Sequence, residues 1–284
     1  MSWERKRGAL IELSRLLSNR RCGLRIECGD PEAIGQVRYV ITLDSDTRLT
    51  VGSAAELVGT MLHPLNRPLY DSERRIVREG HAILQPRISV DLEAASKSFF
   101  SRATAGLGGT DPYGSTASDL YQDLYDEGIF TGKGIFDLEM FSQCLDNRFP
   151  ENRILSHDLL EGCYLRAGLL SDVELTDGFP YKVSSYFSRL HRWIRGDWQL
   201  LPWLFKKVPA ENGKMEENPL GPLSRWKIFD NLRRSLVPVL TFAAILWGIL
   251  FDGLWAAAGV AVAISLSELA LSAAAALLRG GYEL

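Results

Sequence analysis

Apolar positions along the chain fall first into a helical rhythm and then into a strand rhythm. In residues 4–18, Ala9, Leu10, Leu13, Leu16 and Leu17 recur at helical spacing and predict an amphipathic helix with those side chains on one face. VRYVITL at 37–43 is a continuous β-branched apolar run that stops at two acids, as a buried strand of a parallel sheet would. A helix is predicted from Ser53, as N-cap, to Leu62, and a second short strand from HAILQPRI at 81–88. Lys97 to Gly114 is rich in Gly, Ser and Thr and reads as a loop. A helix over 115–127 follows, then the glycine-bracketed loop FTGKG at 130–134 and a helix near 137–147. RILSHDLLEGCYLRAG reads as a short strand, a turn and a helix ending at Gly168. SDVELT at 171–176 is a further strand, and 184–206 a long amphipathic helix. Strands alternating with helices indicate an α/β fold with a mostly parallel sheet flanked by helices. Ligands of such sheets sit beyond the carboxyl ends of the strands.

Past Pro222 the pattern changes. SRWKIFDNLRRS at 224–235 sets Trp226, Ile228, Phe229 and Leu232 among four basic residues, a mixture suited to a helix lying in a membrane interface. Residues 236–251 then run uncharged, and 254–278 run apolar around Glu268. The second run is long enough to span a bilayer, whereas 16 residues rise only about 24 Å against a hydrocarbon core of about 30 Å. These lengths predict two transmembrane helices, the first completed by its flanks or re-entrant; a pair of buried helices in a soluble protein is the alternative. The basic residues before the first span, and Arg279 after the second, place the preceding domain in the cytoplasm and the Asp252-Gly253 turn outside. The expected division is a catalytic domain at 1–222, an interfacial helix at 223–235 and a transmembrane segment at 236–284.

Charge follows the same division. Of the last 49 residues only Asp252, Glu268, Arg279 and Glu283 are charged, so the rest of the chain holds nearly all the polar chemistry. A net charge of −3 gives no reason to expect a nucleic-acid partner. Cys22, Cys28, Cys144 and Cys163 lack zinc-site spacing and read as reduced packing thiols.

Three stretches carry candidate chemistry. Asp44 and Asp46 in LDSDT, at the end of a predicted buried strand, can hold Mg²⁺ or Mn²⁺ while leaving positions for diphosphate oxygens. Asp158 in SHDLLEG lies at a strand-to-helix junction, where it can act as a general base or simply cap the helix; His157 can orient an acceptor or pack. In RLHRWIRGDW, Arg189, Arg192, Trp193 and Gly196 share a helix face, so two guanidiniums can grip a diphosphate while the indole stacks on a sugar. Snorkelling arginines on a membrane-edge helix are the alternative. FTGKG lacks Walker spacing; its N–H groups and Lys133 can approach an acceptor sugar or a phosphate, or form an ordinary tight turn.

Taken together, Asp44-x-Asp46, Asp158 and Arg189-x-x-Arg192-Trp193 before membrane helices resemble the D, DxD, D, Q/RxxRW pattern of processive family-2-type glycosyltransferases. Longer strings are more similar still to the glycosyltransferase region of bacterial cyclic β-1,2-glucan synthases. They are WERKRGAL, VRYVITLDSDT, DPYGSTASDLYQDLYDEGIFTGKGIFD, ILSHDLLEGCYLRAGL and RLHRWIRGDWQLL. The resemblance implies a GT-A fold lacking its first donor-binding strands, and an inverting enzyme of the inner (cytoplasmic) membrane. UDP-glucose would be the donor, a growing glucan the acceptor, and Mg²⁺ or Mn²⁺ the cofactor. It also implies Asp44 and Asp46 as the metal and diphosphate motif, Asp158 as catalytic base, and Arg192 and Trp193 as diphosphate and acceptor contacts. KRGAL at 6–10 is similar to a KxGAL-type segment of that family. The remainder of a larger synthase, including a phosphorylase-like domain, is the implied polypeptide partner. A different processive β-glycan synthase, or an inactive membrane-tethered scaffold, remains an alternative.

Overall fold

The computed structural model describes residues 5–30, 34, 36–105, 119–211, 213–259, 261–263 and 266. The chain opens with helix α1 (Arg5–Leu17), strand β1 (Tyr39–Thr42), strand β2 (Thr47–Leu49) and helix α2 (Ser53–Leu62). A hairpin of β3 (Leu69–Asp71) and β4 (Ile76–Glu79) precedes β5 (Ile83–Val90), α3 (Leu92–Ser96) and α4 (Phe99–Thr104). After α5 (Leu120–Tyr125) come β6 (Gly134–Asp137), α6 (Leu138–Leu145), α7 (His157–Leu165), β7 (Ala167–Asp177) and α8 (Val183–Gln199). A second hairpin, β8 (Lys207–Pro209) with β9 (Met215–Glu217), leads to α9 (Pro222–Trp247).

The α/β class is as expected, but the sheet is mixed. Its order is β1-β6-β5-β7-β2; β6 runs antiparallel to both neighbours, β2 runs antiparallel to β7, and only β5 and β7 pair in parallel. A strand covered on both faces is apolar throughout whichever way its neighbour runs, so the run at 37–43 carries no information on direction. The two covers are visible in the central strands. Ile83 and Phe136 join the cluster built on α6 and α7, whereas Leu84 and Ile135 pack with Leu57 and Met61 of α2. Phe136 stacks on Phe141 at 4.3 Å, and Phe149 meets Tyr164 and Trp203 edge-on.

Several elements differ from the sequence pattern. The buried face of α1 is Arg7, Gly8, Ile11 and Ser14, rotated from the leucine stripe, because Ser14 bonds to Ser142 of α6 at 2.6 Å. α2 is capped by Gly52 at φ 93° rather than by Ser53. The expected loop from Lys97 contains α4, nucleated by a Ser98/Ser101 capping box; positions 106–118 lie outside the described residues. α7 stops at Arg166, whose φ of 53° turns the chain directly into an eleven-residue strand. Leu200 onward forms a 3₁₀ turn rather than more of α8.

Contacts divide the chain inside α9, between Ile228 and Phe229. The interfacial helix and first span, expected as separate elements, form one continuous helix that passes through Pro238 and ends in a π-turn at Gly248–Asp252. The helix runs 30 residues, Pro222 to Phe251, and its most apolar 18-residue stretch has mean hydropathy 1.8. The whole helix rises about 45 Å, but its uncharged part is still 235–251, and the basic, amphipathic turns before it are the flank that reaches the interface. It is the one helix among the described residues long and apolar enough to cross a membrane. The expected second span lies mostly outside them.

Candidate active site

The LDSDT turn carries the chain from the end of β1 to the far edge of the sheet, where Thr47 begins β2 opposite Asp177 of β7. Both acids of the turn are met by cations. Asp44 Oδ1 accepts a 2.5 Å bond from Lys6 of α1, and its Oδ2 lies 3.5 Å from Lys133. Asp46 Oδ2 accepts a 3.1 Å bond from Arg189 of α8. Burial would raise the pKa of Asp44, but the Lys6 and Lys133 ammoniums outweigh it and hold the carboxyl below its ordinary range. Lys133 is drawn from the loop by Asp177 as well, with which it forms a tight ion pair. Its burial disfavours the cation, yet Asp177, Asp44 and Asp46 together push its pKa up.

Asp158 is brought beside this group by glycine. At Gly132, where φ is 94°, an added Cβ would lie 2.8 Å from Asp158 Oδ1, so the loop before β6 can pass only as glycine. Lys6 also donates to Gly132 O at 2.7 Å and thereby ties Asp44 to the same loop. Ser156, not Asp158, occupies the N-cap of α7, and buried Asp158 Oδ1 has no hydrogen-bond partner. The capping role is therefore not the one this carboxylate plays. Burial raises its pKa; the His157 imidazolium and Lys6 oppose that rise, and Glu161 and Asp44 add to it.

α8 docks against the same turn. Gly196 is buried, and a Cβ there would stand 2.1 Å from Ser156 Oγ. Ser156 Oγ in turn donates to Trp193 O at 3.5 Å, and the Arg189 guanidinium lies 5.8 Å from the Trp193 ring centroid. Gly196→Ala is expected to push α8 from α7 and cost about 1–3 kcal/mol by overpacking. Thermal melting checks the stability loss, and an experimental structure of the variant checks whether Arg189 is displaced from Asp46.

The structure thus brings together Asp44, Asp46, Lys133, Asp158, Arg189 and Trp193. It does not place Arg192 and His157 with them in the same way. Arg192 is exposed, and the guanidinium that reaches the acid pair is that of Arg189. His157 is turned inward, 6% exposed, with Nδ1 2.9 Å from Glu161 Oε1 and 3.2 Å from Asp158 Oδ1. Burial lowers its pKa, but the two carboxylates more than compensate and raise it to about 9. His157, Asp158 and Glu161 could each offer one ligand atom within 4.8 Å. Without an ion the three form an ion-pair cluster, the imidazole set between two carboxylates and donating to Glu161. The raised pKa stabilises the fold fully below 6.5, and that contribution is lost as pH rises through about 9. Melting temperature is expected to fall across that window, and less so in His157→Gln.

Lys6, Asp177 and Glu161 were missed as site residues. Lys6 lies in the KRGAL string and had a signal; Asp177 at a strand end and Glu161 on a helix had none. An open cleft of about 420 Å³ continues from Asp46 and Arg189 toward Arg48, Lys97, Phe179 and Tyr181.

No known family model matches the chain. Over 249 residues, 87% of its length, it is 46% identical to a curated protein named cyclic beta-(1,2)-glucan synthase NdvB, from Rhizobium meliloti (strain 1021). The matched region is 8% of that much longer protein. The chain is therefore related to one segment of such a synthase.

Proposed function

We propose that this chain, as a relative of one segment of a cyclic β-(1,2)-glucan synthase, is the sugar-transfer part of a membrane-bound inverting glucosyltransferase. It extends a β-1,2-linked glucan from UDP-glucose. The observation that carries the reading is the gathering, at one end of the sheet, of two cation-flanked carboxylates and a third, Asp158, whose Oδ1 accepts no hydrogen bond.

Asp44 and Asp46 offer the hard oxygen ligands that Mg²⁺ or Mn²⁺ takes, and a bound ion would act there as a Lewis acid on diphosphate oxygens. Their side chains remain 37% exposed, so a ligand can reach them. Lys6, Lys133 and Arg189, with exposed Arg192 nearby in sequence, supply positive charge for the departing diphosphate. Trp193 offers a face to the acceptor sugar. Asp158 removes the proton from the acceptor 2-hydroxyl. The freed oxygen bonds to the anomeric carbon from the side opposite the diphosphate, whose C–O bond breaks as UDP leaves with the electron pair. A single displacement inverts the centre and needs one base. Stabilising the leaving group contributes several kcal/mol, and the base roughly 10²–10⁴-fold.

The apolar 18-residue stretch of the long helix supports membrane attachment, and the basic residues before it support a cytoplasmic site. Titration of the intact synthase with UDP-glucose and Mn²⁺ tests the donor assignment. Saturable binding is expected, and Asp46→Asn should weaken it by at least the roughly 10–100-fold that losing even an outer-shell metal partner costs. No donor binding by the wild-type protein would leave a scaffold role. A product with a different linkage would move the chain to another β-glycan synthase.

A further inference from the structure

Glu161 is among the most deeply buried acids of the described chain, 1% exposed, and the reaction above gives it no task. It sits one turn after His157 on α7, with its Oε1 2.9 Å from the imidazole Nδ1. The same Nδ1 lies 3.2 Å from Asp158 Oδ1. Three ionisable groups thus meet around one nitrogen, within the first turn and a half of a helix. Of the two carboxylates only Asp158 is open to solvent, with its side chain 31% exposed; that of Glu161 is 2% exposed.

We propose that Glu161 and His157 are positioning residues for Asp158: Glu161 anchors the imidazole, and the imidazole holds the base in place and balances its charge. The inference rests on the assignment of Asp158 as the base. A buried carboxylate with no fixed cation would be both mobile and costly to ionise. His157 alone could supply that cation, but an unanchored imidazole would be free to rotate and would itself be costly to charge at 6% exposure. Glu161 removes both difficulties, since Nδ1 is hydrogen-bonded to Glu161, the ring cannot turn without losing that bond, and its charge is thereby kept 3.2 Å from Asp158 Oδ1. Lys6 adds a further positive charge acting on the base.

The charged groups acting on Asp158 are His157 and Glu161 from its own helix, Lys6 from α1 and Asp44 from the turn after β1. Removing one negative or one positive member must therefore move its ionisation in opposite directions. In Glu161→Gln the lost repulsion makes Asp158 easier to ionise, so the acid limb of the kcat profile moves to lower pH. In His157→Gln the lost cation makes it harder to ionise, and the limb moves to higher pH. Each variant also loosens the base, for which a misplacement of about 1 Å can cost up to about 100-fold in kcat. The KM for UDP-glucose stays near the wild-type value, because neither residue touches the donor-binding acids.

The test is the pH dependence of kcat and KM for UDP-glucose in the intact synthase carrying Glu161→Gln, His157→Gln, or both. Opposite shifts of the acid limb, a wild-type-like limb in the double variant and an unchanged KM are the expected results. A purely packing role would lower active protein uniformly at every pH and leave both limbs where they were, which would overturn the inference. If one single variant fails to fold, the sign of the shift in the other decides. Asp158→Asn is run alongside. Its retention of normal turnover would remove the base assignment itself. Loss of turnover in Asp158→Asn with unmoved limbs in the other variants would remove only the role given to Glu161 and His157.

Discussion

Asp158→Asn in the intact synthase is expected to reduce glucan formation by roughly 10²–10⁴-fold, the range a positioned general base contributes. The substitution keeps the shape of the side chain and removes only its ability to take a proton. Donor binding should therefore stay near wild type, since the acids that meet Lys6, Lys133 and Arg189 are Asp44, Asp46 and Asp177. Stability should fall modestly, because the amide no longer attracts the His157 imidazolium 3.2 Å away. Product assay with labelled UDP-glucose, paired with a binding titration, separates the two quantities. Loss of donor affinity in step with turnover would place Asp158 in donor binding rather than in proton transfer.

The largest structural effect is expected at Gly134. This residue opens β6, the strand between β1 and β5, with a φ of 147°. A Cβ there would stand 2.0 Å from Leu84 O and 2.9 Å from Pro86 Cδ. The first of these is backbone of the neighbouring strand, so relief requires the sheet itself to open. Gly134→Ala should cost more than about 4 kcal/mol, the exceptional range for a single substitution. Lys133 and Gly132 are its immediate neighbours, so any surviving protein should also lose the alignment of Lys133 with Asp44. Gly59 provides the contrast. It lies inside α2 with nothing within 4 Å of an added Cβ, and Gly59→Ala should stabilise by about 1 kcal/mol through helix propensity. Chemical denaturation of both variants checks the pair, and similar midpoints would contradict the packing described for β6.

The same strand shows where the sequence stops being legible. GIFD is four residues long, too short for a period, and its leading glycines read as a loop before a helix. Only the neighbouring carbonyl of Leu84 reveals why glycine stands there. The hairpins at 69–79 and 207–217 were missed for a similar reason, since their three- and four-residue strands are largely exposed at their ends and offer no apolar run. By contrast α2, β1 and the start of α8 were legible within a few residues, because each has a sustained rhythm or a sharp polar stop; the end of α8 was placed seven residues too far.

Legibility of the site divides along the same line. Asp44, Asp46 and Asp158 could be named because each ends or begins an element, and the structure draws their stretches together with Trp193. What could not be read was which cation serves which acid. Arg189 and Arg192 are equivalent on a helical wheel, and only the seating of Gly196 on Ser156 turns Arg189 toward Asp46. His157 beside Asp158 could be read as orienting an acceptor or as packing; Glu161 four residues on holds the ring inward, in line with the second. An i,i+4 carboxylate partner is a usable signal, but it competes with every solvent-facing pair of the same spacing.

The account depends on one arrangement, in which donor, metal ligands and base occupy a common end of the sheet. Its most direct test is an experimental structure of the intact synthase with UDP and Mn²⁺ bound. The account predicts the ion on the Asp44 and Asp46 carboxylates, the diphosphate among Lys6, Lys133 and Arg189, and Asp158 facing the space where the glucose would lie. A nucleotide bound away from these residues, with Asp158 turned from it, would contradict the account.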